Sequence, residues 1–247
     1  MDVSSYVLLS QEQALKRRMD VVANNMANMS TSGFKRERPV FREYVERASE
    51  ADPEVSRPTS FVLDQGAMHD TKAGAFQVTS NPMDVMIEGP GYLSVETPEG
   101  GTAYTRAGFV KVDDQGQLTT AGGQVLLGEG GKPIQVATDQ QEGLAIGSDG
   151  TVSSKTGPLG RLAVTVFDDE TGVTPRGDGM MIGSGGRELA ASDTKLRTGG
   201  VEGSNVDPIV ETTQMVEILR AYQSSAKMKQ DMDEIRLRAI QRLSKLG

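Results

Sequence analysis

SNVDPIVETTQMVEILRAYQSSAKMKQDMDEIRLRAIQRLSKLG, residues 204–247, holds no glycine before its last residue and reads as one long helix. Asp207 can cap it, Pro208 suits the first helical position, where a missing N–H costs nothing, and Glu211 lies near the positive end of the dipole. Apolar or small residues then recur three and four apart at Ile218, Ala221, Ser225, Met228, Met232, Ile235 and Ala239, flanked by Val216, Leu219, Tyr222 and Leu243. Such a thin seam is the pattern of a helix with a partner. Continuous helix to the end would run roughly 60 Å, more than a small core can bury alone.

The other end has the same character. A helix is expected from Asp2 or Ser4, either of which can cap it, with Leu15, Met19, Val22, Met26 and Met29 spaced 4, 3, 4 and 3. Leu8 extends this seam one heptad earlier, Glu12 interrupts it, and Ser32–Gly33 followed by Lys35 and Arg36 is the expected stop. An amphipathic helix commonly packs on its own domain. Two of them at opposite ends, with small residues that allow close approach, argue for a helical pair serving an assembly, whether with each other or with neighbouring copies.

The middle is different. Of 29 glycines, all but Gly247 lie between Gly33 and Gly203. Residues 1–36 carry a net +2 and residues 205–247 a net +1, so the total of −8 leaves −11 to residues 37–204. Short apolar runs, VMI at 85–87, YLSVE at 92–96, FVKV at 109–112, QVLL at 124–127 and RLAVTVF at 161–167, alternate with Gly- and Asp-rich turns. That is the pattern of an antiparallel β domain. The expected fold class is α+β: long N- and C-terminal helices pairing as a coiled-coil-like unit, with an inserted all-β antiparallel domain. The expected segments are a helix over 1–36, a connecting arm over 37–79 containing Pro39, Pro53 and Pro58, a β domain over 80–203, and a helix over 204–247 packing with 1–36.

Composition excludes several chemistries. The 247 residues contain no cysteine and one histidine, His69, so disulfides, thiolate nucleophiles and Cys/His zinc sites are ruled out. The pairs Asp113–Asp114 and Asp168–Asp169 adjoin turn signals and read as solvated turn residues. The clusters GEGG at 128–131 and GSGG at 183–186 lack the spacing of a phosphate-binding loop or dinucleotide fingerprint. Net acidity disfavours nucleic acid and anionic membranes as partners. No apolar run approaches the ~20 residues of a membrane span. The start lacks a basic region and small-residue cleavage site, so a soluble chain whose export signal is not removed is expected. No cofactor, no small-molecule substrate and no enzymatic activity are expected.

Three stretches resemble the axial rod and hook proteins of the bacterial flagellum. In ANNMANMSTSGFK, residues 23–35, Asn24, Asn25, Ala27, Asn28, Thr31, Gly33 and Phe34 match that family's N-terminal signature, with Met26 and Ser30 as mild departures. NPMDVMIEGPGYLSV from Asn81 and YTRAGFVKVDDQGQLTTAGG from Tyr104 resemble the opening of its β domain, and SNVDPIVE with RAYQ at 220–223 its C-terminal helix. Chain length and FVLDQGAMHD at 61–70 look most like the proximal-rod members, with distal-rod members the near rival. The resemblance implies a structural subunit of the basal-body rod, exported uncleaved through the flagellar type III apparatus and assembled with itself and other rod proteins into a torque-transmitting tube across the periplasm. The expected assembly interface is Leu8, Leu15, Met19, Val22, Asn24, Asn25, Met26, Asn28, Ile218, Ala221, Tyr222, Met228, Met232 and Ile235. The rival from another class is a secreted peptidoglycan-binding module or hydrolase.

Overall fold

The computed structural model describes residues 3–46, 59–168, 172–176 and 179–243. The chain divides into two compact units: one gathers Met1–Ala27, Glu37–His69 and Asp207–Gly247, the other Asn28–Arg36 and Asp70–Val206.

The helical unit holds α1 (Val3–Ala27), β1 (Glu37–Glu46), β2 (Thr59–His69) and α2 (Pro208–Leu243). Asp207 caps α2 as its chemistry dictates: its Oδ1 accepts from the N–H groups of Ile209 at 2.9 Å and Val210 at 3.3 Å. The cap expected at Asp2 lies outside the described residues, and Ser4 falls inside α1. Leu15, Val22 and Ile218 form a buried cluster, with Met19, Met26, Met215 and Ala221 packed against it. Arg17 Nε lies 3.2 Å from Asp64 Oδ2 and ties α1 to β2.

α1 ends at Ala27, short of the expected stop at Ser32–Gly33. The backbone after Ala27 is used otherwise. Thr31 N–H donates to Asn28 O at 3.1 Å, Phe34 N–H to Thr31 O at 3.3 Å, and Gly33 N–H to Glu202 O at 2.8 Å. Gly33 has φ +71, and a Cβ there would collide with the backbone of Arg106, so only glycine fits. Residues 28–36 therefore belong to the β unit.

The segment 37–79, read as an arm, carries an antiparallel strand pair running from Glu37↔His69 to Glu46↔Thr59. A register shift between Pro39 and Phe41 lets Pro39, which has no N–H to donate, sit within it. β1 is rich in β-branched and aromatic residues, Val40, Phe41, Tyr44 and Val45, as β2 is in Phe61 and Val62, and Tyr44 stands opposite Phe61, which is why extended structure wins here. Pro53 and Pro58 lie outside the described residues.

In the β unit the strands are β3 (Phe76–Val78), β4 (Val85–Ile87), β5 (Tyr92–Glu96), β6 (Thr102–Thr105), β7 (Val110–Val112), β8 (Leu118–Thr120), β9 (Ala145–Ile146), β10 (Thr151–Ser154) and β11 (Gly157–Arg161). They continue with β12 (Val164–Val166), β13 (Thr174–Pro175), β14 (Met181–Ile182), β15 (Arg187–Glu188), β16 (Leu196–Thr198) and β17 (Gly200–Glu202). A six-stranded sheet of order β13-β14-β6-β5-β12-β15 is joined by smaller sheets β11-β10-β9, β7-β8, β16-β4 and β17-β3. The first two strands of the unit thus pair with its last two, antiparallel. Val95, Leu118, Leu126, Val152, Leu162 and Val164 are wholly buried in one core.

VMI and YLSVE form strands over their full lengths, whereas QVLL makes only isolated bridges. Its Leu126 N–H donates to Leu118 O and its Leu127 N–H to Ser94 O, so neighbouring residues serve two different partners. The turn aspartates shape backbone. Asp113 Oδ1 accepts from the N–H groups of Gln115 and Gln117 at 2.9 and 2.7 Å. At the next such turn the Thr151 N–H, then its hydroxyl, hold the Asp149 carboxyl below its usual pKa. Asp169 lies outside the described residues.

Candidate assembly site

Two features of this chain could act on other molecules or hold the chain against load: the faces of the helices and the stapled ends of each unit. On the inward face of α1, Leu8, Leu15 and Val22 are buried at seven-residue spacing, with Met19 and Met26 half-buried. On α2 the buried positions are Glu211, Ile218 and Ser225, again seven apart, with Met215, Ala221 and Met232 half-buried. Tyr222, Met228 and Ile235 turn outward, with Ile235 65% exposed. They join Ile209, Val216, Leu219, Leu237 and Ile240, all exposed, so α2 presents far more apolar surface than its own unit covers. Tyr6 and Leu9 of α1 are exposed as well.

The asparagines of α1 separate in role. Asn24 is exposed and Asn28 half-buried beyond the helix end, where its Oδ1 accepts from the Thr31 hydroxyl at 3.2 Å. Asn25 is buried and turned inward. Its Oδ1 accepts from Glu37 N–H at 2.8 Å, and its Nδ2 donates to Glu37 O at 2.9 Å and Glu211 Oε2 at 3.3 Å. The side-chain amide thus acts as a one-residue strand partner at the start of β1 while reaching the buried carboxylate of α2. Asn25→Ala is expected to cost about 1–3 kcal/mol, because Glu211 and Glu37 would lose partners in a buried place. Chemical denaturation followed by helical circular dichroism measures this, and an unchanged midpoint would refute it.

In the β unit a second carboxylate organises the chain ends. Glu202, fully buried, pairs through Oε1 with Lys35 Nζ at 2.6 Å and through Oε2 with Arg106 Nη1 at 3.1 Å. Its Oε1 also accepts from Gly74 N–H at 2.8 Å. Lys35 Nζ donates further to Lys72 O at 2.7 Å, and Arg106 Nη2 to Gly89 O at 2.7 Å. One carboxylate balances two cations, all nearly dry. Gly74 passes so close to Gly203 that a Cβ would overlap the Gly203 carbonyl oxygen.

Sequence reasoning missed Glu202, Lys35, Arg106, Asn205 and Glu211 as partners. Lys35, Arg106 and Asn205 stand inside the quoted stretches SGFK, YTRAGF and SNVDP. Glu202 carries no local signal, because a lone glutamate beside a strand end is ordinarily solvated. His69 ends β2 opposite Glu37. Among the described residues no group of three or more His, Cys, Asp or Glu side chains could hold a metal ion, and no helix is long and apolar enough to cross a membrane.

Comparison with known proteins decides what this architecture belongs to. Residues 6–35 match the family model of flagella basal body rod proteins, residues 86–154 that of the flagellar hook protein FlgE/F/G D1 domain, and residues 197–242 that of the flagellar basal body rod FlgEFG protein C-terminal region. Over 253 residues, the whole of both chains, it is 35% identical to the flagellar basal-body rod protein FlgF of Caulobacter vibrioides. It is 33% identical over 254 residues to the flagellar basal-body rod protein FlgG of Bacillus subtilis, covering 94% of this chain and 96% of that one. A FlgF of Mesorhizobium japonicum is 30% identical over 231 residues, 92% of each chain. The chain belongs to the flagellar basal-body rod protein family.

As a rod protein it is a structural component of the flagellar basal body and not an enzyme. The wall-binding or hydrolase reading is not favoured by these relatives. The two terminal matches fall on α1 with the turn after it and on β16 through α2. The central one falls on the core strands of the β unit.

Proposed function

We propose that this rod subunit is built into the axial structure through its helical unit, in a tube that transmits torque across the periplasm. The observation carrying this reading is the apolar surface that α2 leaves uncovered along its length, where Ile209 is 78%, Ile235 65% and Ile240 63% exposed. A monomer has no use for so many uncovered aliphatic side chains on one helix, and a heterologous contact that does not close extends into a filament.

On this reading the interface set divides. Leu8, Leu15, Met19, Val22, Met26, Ile218 and Ala221 pair α1 with α2 in a coiled-coil-like manner, which the seven-residue spacing of buried positions supports. Tyr222, Met228 and Ile235 meet neighbouring subunits, while Asn24 and Asn28 are placed to hydrogen-bond between them. Asn25 positions the elements that carry the interface. The partners are copies of this chain and other rod proteins, with the flagellar type III apparatus as its exporter and no cleaved signal. Full-length likeness to FlgF supports the proximal rod, with the distal rod as alternative.

Ile235→Glu tests the reading. At an exposed position the charge leaves the isolated fold intact, so the expected result is an unchanged denaturation midpoint with loss of motility and absence of the variant from purified basal bodies. Normal incorporation of Ile235→Glu would sink the proposal.

A further inference from the structure

The chain crosses between its two units at 27/28, 36/37, 69/70 and 206/207. The last three crossings leave the β unit from stretches that lie together within it: residues 33–36, 70–74 and 201–206. The backbone ladder that closes the unit, β17 on β3, ends at Glu202↔Phe76. Beyond that point side chains take over. One of them, Asn205, touches both other stretches at their outermost residues.

Asn205 Oδ1 accepts from Arg36 N–H at 2.6 Å, and Arg36 is the last residue of its stretch in the unit. Its Nδ2 donates one proton to Asp70 O at 2.8 Å, at the first residue of the returning stretch, and the other to Lys72 O at 3.0 Å. An asparagine amide has two donors and one carbonyl, and here all are engaged. Its own backbone N–H reaches Phe34 O at 3.3 Å, and Asp70 N–H donates to Arg36 O at 2.8 Å. Behind this layer stands the second one, in which Glu202 and Lys35 bind the same stretches through Gly74 and Lys72.

We propose that Asn205 is a load-sharing staple. It makes the three stretches one neck, so that tension arriving along any of them is borne by all. The inference rests on the rod-subunit reading, because only a subunit under torque needs more than the strand ladder to hold its chain ends. The location argues for it: three side-chain bonds sit outside the sheet, at the residues where force reaches the unit. Bonds loaded side by side must break together, whereas a single stretch leaving a strand peels one bond at a time.

The chain has no cysteine, so Glu43→Cys and Ile209→Cys, both at exposed positions, give unique attachment points in the full-length protein. Pulling between them in an optical trap first parts the helical unit, to which both belong, and then loads residues 70–74 against residues 201–206. Opening of the β unit is recognised by a length gain on the order of 450 Å. Besides the two bonds from Asn205, Gly74 N–H to Glu202 and Gly203 N–H to Ala75 O span these stretches. Asn205→Ala is therefore expected to roughly halve the force of that event while lowering the denaturation midpoint of the β unit by a much smaller fraction, since at this half-exposed rim water takes the place of the lost partners at equilibrium. Asn205→Asp keeps the acceptor for Arg36 and loses both donors. It should show the same loss of force with amide exchange at Arg36 still slow, whereas Asn205→Ala loses that protection too. An unchanged rupture force in both variants, or a fall matched by an equal fall in equilibrium stability, overturns the proposal. These readouts use purified protein, so their failure is separate from a failure of rod incorporation.

Discussion

Glu202→Gln is expected to destabilise the β unit by about 3–5 kcal/mol, because it leaves two buried cations without their counter-charge. The amide keeps the shape and one acceptor. What it removes is the charge that Lys35 Nζ and Arg106 Nη1 both face at hydrogen-bond distance. Neither cation can turn to water, since their side chains are about 1% and 4% exposed. The loss should open first where residues 33–36 and 72–74 join the unit, because these hang on the Glu202 carboxylate through Lys35 and Gly74. Amide exchange at those positions, with the denaturant midpoint of the β unit, measures it. An exchange pattern like the parent's would show that the triad is not holding the ends.

Removal of residues 1–27 is expected to have the largest effect on assembly and the smallest on the β unit. The cut falls where α1 ends and leaves residues 28–36 in place, so Gly33 and Lys35 keep their partners. In the helical unit the deletion strips Leu15 and Val22 from Ile218 and takes Asn25 from Glu211. Burying a leucine or valine contributes about 1.5–3 kcal/mol each, so a helical unit without them loses its core. The truncated chain should keep slow amide exchange in β5, β8 and β12, leave cells non-motile, and be missing from isolated basal bodies. Basal bodies that contain it would contradict the role given to α1.

Much of this is legible in the sequence alone. The glycine-free ends, the Asp207–Pro208 helix start and the strands VMI and YLSVE follow from local rules that tertiary structure left alone. Local rules failed where a residue's partner is far away in sequence. Gly33 reads as a helix stop, yet α1 ends earlier because that backbone donates to Glu202 O. The pairing of β1 with β2 was hidden by Pro39, whose cost a register shift removes. The α2 seam was displaced: Met228 and Ile235 share a helical period with Ile218 but lie off the face that α1 covers, and only the contact shows which apolar stripe is inside. The residues packed between α1 and α2 follow from spacing, while Asn205 and Glu202 depend on partners 96 or more positions away.

The pairing of β3 with β17 and β4 with β16 has a consequence for how such a protein can change over generations. The gap between the points where the β unit joins the remaining chain is fixed by two short strand pairs at its base. Nothing about that gap depends on how many strands lie beyond them. Residues added to or lost from the strands between them would therefore leave the spacing of those ends unchanged, so this part of the chain can vary in size without disturbing the helices it is joined to.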